Sequence, residues 1–373
     1  MSSSLSSDRQ AQIRPLDRRN NPAMLEILRQ SPIETGGLSI CFDRQPDIFA
    51  MADLKYAPAA WRGFFESDTL AGFGMVGYHA AYVNGSVTPV MHITDCYIRP
   101  GSRGRGYLKS ALEYFLDEGA GRAQIGYAVV MKRNRAAEAQ IGDRFAGTPC
   151  GLKSRIIGDL VARTIVLAYP RRTSTHFKVR RARLDDIDDV VSLLKGEHQP
   201  RLFGLVVDRD EFVAQLKRRP SLSIDDYYVV ERAGKLEGVC AAWDTSAFKQ
   251  NRVVRYGLGL NLVRAASVLT ARIGGFPTLP RPGEAFRDVF LTDWAARDRS
   301  EEVMYALIEH IYHEYRDRSY HTMIFGSCAR DPVLRAARRF PGSDLVSHIA
   351  LMSLGGNGLE YDARLPFIDL ALL

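Results

Sequence analysis

The chain has few cysteines, and those it has are scattered: five in 373 residues, Cys41, Cys96, Cys150, Cys240 and Cys328. An odd number with no C-x-x-C pair supports neither a disulfide framework nor a zinc ribbon, and points to reduced thiols in a cytoplasmic protein. Long apolar runs are missing too. The best candidate, Tyr256 to Phe276, is interrupted by Arg264 and Arg272, too costly for a membrane span. Residues 1–11 lack the apolar core of a signal peptide and read as a polar, disordered leader. No G-K-[ST] follows a glycine loop, and no glycine run has the dinucleotide spacing. His310 and His313 lie at i, i+3 with no third ligand at a telling distance, so a helix face is the reading and no metal is expected.

The composition is that of a globular protein, with 46% hydrophobic and 25% charged residues. At roughly 150 residues per domain the length implies two or three domains. The net charge of +7 is uneven: residues 1–175 hold 22 Lys+Arg against 16 Asp+Glu, and residues 176–373 hold 28 against 27. Most of the excess lies between Arg99 and Arg135, where eight bases meet three acids. These bases cluster on one loop and its flanks rather than in a stripe interleaved with aromatics, so no nucleic-acid partner is expected.

An internal repeat organises the chain. Ile13-Arg14 is echoed by Val179-Arg180 and Leu70-x-Gly72 by Leu236-x-Gly238, both at an offset of 166 residues. Ile93-Thr94-Asp95 is echoed by Leu291-Thr292-Asp293 at 198, which requires an insertion within about 245–287. Arg144-Phe145-Ala146-Gly147 and Arg339-Phe340-Pro341-Gly342 match at 195, so a few residues are lost again in the second copy. The expected division is 1–11 leader, 12–170 first domain, 171–177 linker and 178–373 second domain.

In the first copy the order is a strand at Gln12–Pro15, a helix near Pro22–Arg29, strands over Arg62–Glu66, Leu70–Tyr82 and Val90–Ile98, then the turn Pro100-Gly101-Ser102-Arg103-Gly104-Arg105-Gly106. The helix that follows places Leu108, Ala111, Leu112, Phe115 and Leu116 on one buried face. A strand at Ile125–Met131, a helix from about Asn134 to Arg144 and a strand at Leu160–Tyr169 complete it. A basic, glycine-rich turn that opens a helix is an anion site by geometry, because first-turn amides lack intrahelical partners and the macrodipole is positive there. A solvated basic turn is the plainer alternative.

The run Asp95-Cys96-Tyr97-Ile98-Arg99-Pro100-x-x-Arg103-Gly104-Arg105-Gly106-Tyr107, followed by helix, strand and Asn134-x-x-Ala137, resembles the cofactor motif of the GNAT superfamily of acyl-CoA-dependent acyltransferases. The resemblance implies an α/β fold of two tandem GNAT-like domains, each a mixed, mostly antiparallel sheet flanked by helices. It also implies acetyl-CoA or another acyl-CoA as cofactor, held by Ile98, Arg99, Arg103, Gly104, Arg105, Gly106, Tyr107 and Asn134. Leu108 departs from the family's usual small residue. The second copy has Trp294-Ala-Ala-Arg-Asp-Arg-Ser300-Glu301-Glu302 where the loop should be, without glycine and with two acids facing any phosphate, and so reads as a degenerate domain.

Transfer of an acyl group to an amine needs a base, an oxyanion donor and a proton for the thiolate. Alternation along Val90–Ile98 puts His92, Thr94, Cys96 and Ile98 on one face and Asp95 on the other, unless a bulge changes the parity. His92 and Asp95 are the candidate bases. A satisfied strand histidine, and a structural aspartate echoed by Asp293, are the competing readings. The family's usual acid, a tyrosine, is replaced by Ile141. In the family the stretch containing Glu34, Asp43 and Arg44 borders the acceptor. The expected function is N-acetyl or N-acyl transfer to an amine of a small molecule or peptide. The alternative is a non-catalytic acyl-CoA-binding or scaffold protein.

Overall fold

The computed structural model describes residues 12–119, 121–139, 153–274, 278–354 and 364–373. The first half runs β1 (Gln12–Pro15), α1 (Asn21–Arg29), β2 (Ile33–Thr35), β3 (Leu38–Asp43), α2 (Ala50–Lys55), β4 (Ala59–Glu66), β5 (Thr69–Val83), β6 (Ser86–Ile98), α3 (Tyr107–Gly119), β7 (Ile125–Met131), α4 (Arg135–Glu138) and β8 (Lys153–Val166). The second half runs β9 (Lys178–Arg181), α5 (Ile187–His198), β10 (Gly204–Leu205), α6 (Arg209–Arg218), β11 (Tyr227–Arg232), β12 (Lys235–Trp243), β13 (Gln250–Tyr256), α7 (Leu258–Gly274), β14 (Asp288–Ala296), α8 (Glu301–Asp317), β15 (Thr322–Cys328), α9 (Leu334–Arg338) and β16 (Gly342–Ser353).

The two sheets expected from the repeat are merged into one. Its order is β1-β4-β5-β6-β7-β16-β8-β15-β14-β12-β11-β9. The closing strands are exchanged: β16, from the second half, lies against β7 of the first, while β8, from the first, lies against β15 of the second. The two then pair with each other antiparallel from Gly342↔Ile165 to Ser353↔Lys153. Helix α3 packs through Ala111, Phe115 and Leu116 on one face of the first half, and α1 through Met24, Leu25, Ile27 and Leu28 on the other. In the second half α8 and α5 divide the faces in the same way.

The insertion supplies what no local pattern showed. Strand β13 leaves the second half and pairs with β3 from Gln250↔Asp43 to Tyr256↔Leu38, and β3 in turn pairs with β2. A small second sheet therefore joins the halves beside the expected acceptor region. The predicted helix from Asn134 is described only as far as Ala139; the rest of it, Ile141 and the Arg144–Gly147 echo lie outside the described residues.

Candidate active site

The site begins with an extra residue in a strand. β5 and β6 pair as Phe73↔Tyr97 and Met75↔Thr94, so Asp95 and Cys96 stand opposite Gly74 alone, and Asp95 has a left-handed backbone, φ 52°. The bulge overturns simple alternation. Cys96 and Ile98 pack on the α3 side, and Tyr97 turns to the α1 side against Phe73. Asp95 meets the Arg44 guanidinium at 3.8 Å, both side chains buried. His92 accepts or donates at Nδ1 to the Tyr56 hydroxyl, 2.5 Å away, just beyond α2. The two candidate bases, which alternation set apart, thus share the face covered by α2.

Downstream of His92 the strands fork. β6 and β7 are parallel neighbours from Val90↔Ile125 to Ile93↔Ala128, after which β6 continues to Ile98 while β7 continues to Met131 along β16. The edge of β6 over Thr94–Ile98 is left without β7. At the end of that edge a single 3-10 turn, Pro100–Ser102, leads to Gly104 and Gly106, with φ 81° and 85°, and then into α3. Side chains other than glycine strain at such angles. A Cβ placed on Gly101, Gly104 or Gly106 meets nothing within 4 Å, so the loop backbone faces open space. The first-turn amides of α3 follow directly, without intrahelical acceptors.

The basic residues of the loop are less free than counting suggested. Arg103 donates from Nε to the Ile98 carbonyl at 3.2 Å and from Nη2 to Ser31 Oγ at 3.1 Å. Arg105 and the Tyr107 hydroxyl both bind Glu66, at 2.9 and 2.8 Å, and Arg99 pairs with Glu26 at 3.1 Å. Across the fork, Asn134 caps α4 by accepting the Ala137 amide at 3.3 Å. The backbone of the loop is thus more accessible than these paired side chains.

Beside Asp95 and Arg44 lies a cluster of buried polar groups that sequence spacing gave no sign of. Lys249 Nζ donates to the carbonyl oxygens of Leu370 and Leu373 at 2.7 and 2.9 Å, Arg44 to that of Leu373 at 3.2 Å, and Lys55 to that of Leu372 at 3.2 Å. Burial pushes Lys55 down to about 8, against the pull of Asp369 and Asp95. His92 stacks on Tyr127, ring centroids 4.2 Å apart, and its Nε2 has no partner among the described residues. Burial first, then Lys55, holds His92 well below the ordinary histidine range, so it is neutral. Of the acceptor-side candidates, Asp43 is buried against Arg252 at 2.8 Å, and Glu34 pairs with Arg255 at 2.9 Å.

The second half repeats the bulge and closes the fork. β12 and β14 pair as Val239↔Ala295 and Ala241↔Thr292, leaving Asp293 and Trp294 opposite Cys240, with Asp293 at φ 43°. β14 and β15 are in register only from Asp288↔Thr322 to Leu291↔Phe325. There, however, Trp294 is buried against Phe325 and Phe367, centroids 5.3 and 5.9 Å away, with the Arg201 guanidinium 5.0 Å from its ring. Segment 364–373 lies across both strands: Thr292 Oγ1 donates to Asp369 at 3.1 Å, and a Cβ on Gly326 would strike Leu370 at 2.7 Å. The helix start is also satisfied. Ser300 accepts the Val303 amide, and Glu301 and Glu302 pair with Arg335 and Arg339. Among the described residues no group of three ligands could hold a metal ion, and no helix is long and apolar enough to cross a membrane.

Residues 24–140 match the acetyltransferase (GNAT) family. No curated protein matches the chain. Among solved structures, a GCN5-related N-acetyltransferase from Sphaerobacter thermophilus is similar at 11% identity, with 98% of this chain and 99% of that one covered and a TM-score of 0.57. N-myristoyltransferase of Saccharomyces cerevisiae, solved with bound myristoyl-CoA, is similar at 13% identity over 95% of this chain and 81% of that one, with a TM-score of 0.58. At such identities these likenesses speak for fold alone. Residues 24–140 thus carry the match to the acetyltransferase (GNAT) family, and the chain as a whole shares the fold of these two solved structures.

Proposed function

We propose that this protein is an acyl-CoA-dependent N-acyltransferase whose first half, residues 12–170, binds the acyl-CoA, while residues 178–373 form a degenerate partner that shapes the acceptor side. The observation that carries the reading is the contrast between the halves: among the described residues the fork of β6 and β7 is open beside a glycine loop, and that of β14 and β15 is filled by Trp294 and Phe367. Acetyl-CoA is the simplest donor, and a longer acyl chain is compatible with the same loop.

The residues present fit such a molecule. Open space over Gly104 and Gly106 admits phosphate oxygens to backbone amides. The edge of β6 over Thr94–Ile98, left without β7, runs toward Ile98 and Arg99 and offers peptide groups to an extended amide chain. Arg103, Arg105, Tyr107 and Asn134 shape the loop through the contacts described above. The thioester supplies an activated acyl carbon. Attack by a neutral amine forms the C–N bond, the C–S bond breaks, and the thiolate leaves with one proton while the amine gives one up. Asp95 is assigned as the carboxylate that accepts the amine's proton, directly or through water, with Arg44 orienting it. His92, neutral and engaged by Tyr56, is assigned to hold Tyr56 and Tyr127 in place beneath it.

Calorimetry with CoA, and a free-thiol assay with acetyl-CoA, a long-chain acyl-CoA and a panel of amines and peptides, test the proposal. CoA binding lost in a folded Gly106→Trp variant, with turnover on at least one amine, is the expected result. Binding without any turnover would support an acyl-CoA-binding or scaffold role instead, and absence of binding would remove both.

A further inference from the structure

The insertion in the second half carries a feature the transfer reaction does not use. Residues 245–287 contain seven Lys+Arg and one acid, Glu284, whereas the remaining residues of 176–373 hold 21 against 26. Within it, α7 has its inner side anchored. The Gly257 amide donates to the Gly37 carbonyl at 2.7 Å, Leu260 reaches toward Gly37, and Ser267 Oγ accepts the Leu279 amide at 3.2 Å. Its outer side is unpartnered: Leu258 and Leu262, one turn apart, are 88% and 74% exposed, and Val263 is 54% exposed. Isolated exposed leucines are ordinary, but aliphatic residues stacked on one helix face mark an interaction surface.

We propose that the outer face of α7 docks on an anionic membrane surface. The composition argues for lipid. The face is aliphatic, the helix sequence contains arginine and no acid, and the flanking Arg255 and Arg281 are exposed. This is the combination of apolar face and basic surround by which an interfacial helix lies in the headgroup layer, with charge complementarity supplied by acidic lipids. Arg255 is shared with Glu34, 69% and 58% exposed, and an ion pair so exposed exchanges readily for a lipid phosphate. The helix follows directly on β13, whose partner β3 ends at Asp43, next to Arg44. Docking there would hold the acceptor side of the molecule against the bilayer.

Co-sedimentation of the full chain with phosphatidylcholine vesicles, with and without phosphatidylserine, tests this directly. Binding is expected only with phosphatidylserine, weakened by salt, and reduced at least about tenfold in the double variant Leu258→Glu, Leu262→Glu. Both side chains are exposed, so the variant's circular dichroism and Tm should match the parent's. Failure to bind phosphatidylserine vesicles, or equal binding by the variant, overturns the proposal. Self-association of the parent without lipid, abolished in the variant, would assign the face to a second copy and overturn it as well.

Discussion

Asp95 and Asp293 are the same position occurring twice: each is an extra residue in a strand, each has a left-handed backbone, and each faces a buried arginine. Their surroundings differ in one respect. Asp293 accepts at Oδ2 from Arg219 and from the Tyr227 hydroxyl, both at 2.5 Å. Asp95 stands 3.8 Å from Arg44, whose Nη1 has no partner. The first arrangement is that of a structural ion pair, and the second leaves a carboxylate available beside an open fork.

Asn tolerates the left-handed backbone, so charge can be removed at either position without new strain. Asp293→Asn leaves Arg219 buried and uncompensated, and is expected to cost about 3 kcal/mol in urea unfolding. Asp95→Asn breaks a longer buried pair, is expected to cost about 1–3 kcal/mol, and should lower acyl transfer by at least about 100-fold. Equal stability losses with unchanged turnover would remove Asp95 from the reaction.

Trp294 and Phe367 fill the second fork. Trp294→Ala is therefore expected to destabilise the chain by about 3–5 kcal/mol, while the calorimetric stoichiometry for CoA stays at one. A second binding event in this variant would mean that the loop of the second half retains a phosphate site.

Acid should weaken the fold through its buried histidines. Burial holds His79 and His198 at about 3 and His92 well below the usual range. In the unfolded chain these groups take up protons as pH falls through about 6.5, whereas the folded chain does not until far lower. Stability is thus full above that pH and declines below it, by up to about 2 kcal/mol per histidine at pH 5. Asp288, pushed up to about 6 by burial, takes a proton earlier in the folded state and offsets part of the loss. His198→Phe should flatten the profile of unfolding free energy between pH 7 and 5; an unchanged slope would show that His198 does not contribute.

The exchange of β8 and β16 predicts that the halves do not fold apart. A fragment of residues 1–172 lacks β16 along β7 and β15 along β8, leaving two long edges unpaired. It should aggregate or lack a cooperative thermal transition. A monomeric fragment with a sharp Tm would show that the shared sheet is dispensable.

Much of the frame was legible in the residues. The strands at Gln12–Pro15 and Ile125–Met131 stand where the residues placed them, and Gly104 and Gly106 of the loop both take positive φ. The offsets of 166 and 198 also recur in the paired bulges: Phe73 and Val239 are 166 apart, and Asp95 and Asp293 are 198 apart. What failed was alternation through the bulge, since one inserted residue turns every later side chain to the other face. Charge counting failed at the loop for a related reason. The partners Glu26 and Glu66 lie 73 and 39 residues from Arg99 and Arg105 along the chain.

By itself, then, the sequence determined the repeat, the loop and the loss of glycine from its second copy, because periodicity, backbone freedom and local charge are properties of neighbouring residues. The tertiary structure alone decided that the closing strands cross over, that β13 reaches β3, and that Lys55, Lys249 and segment 364–373 meet beside Arg44 and Asp95. Those contacts join residues hundreds of positions apart. They are selected by burial of charge and closure of sheet edges, which no spacing along the chain encodes.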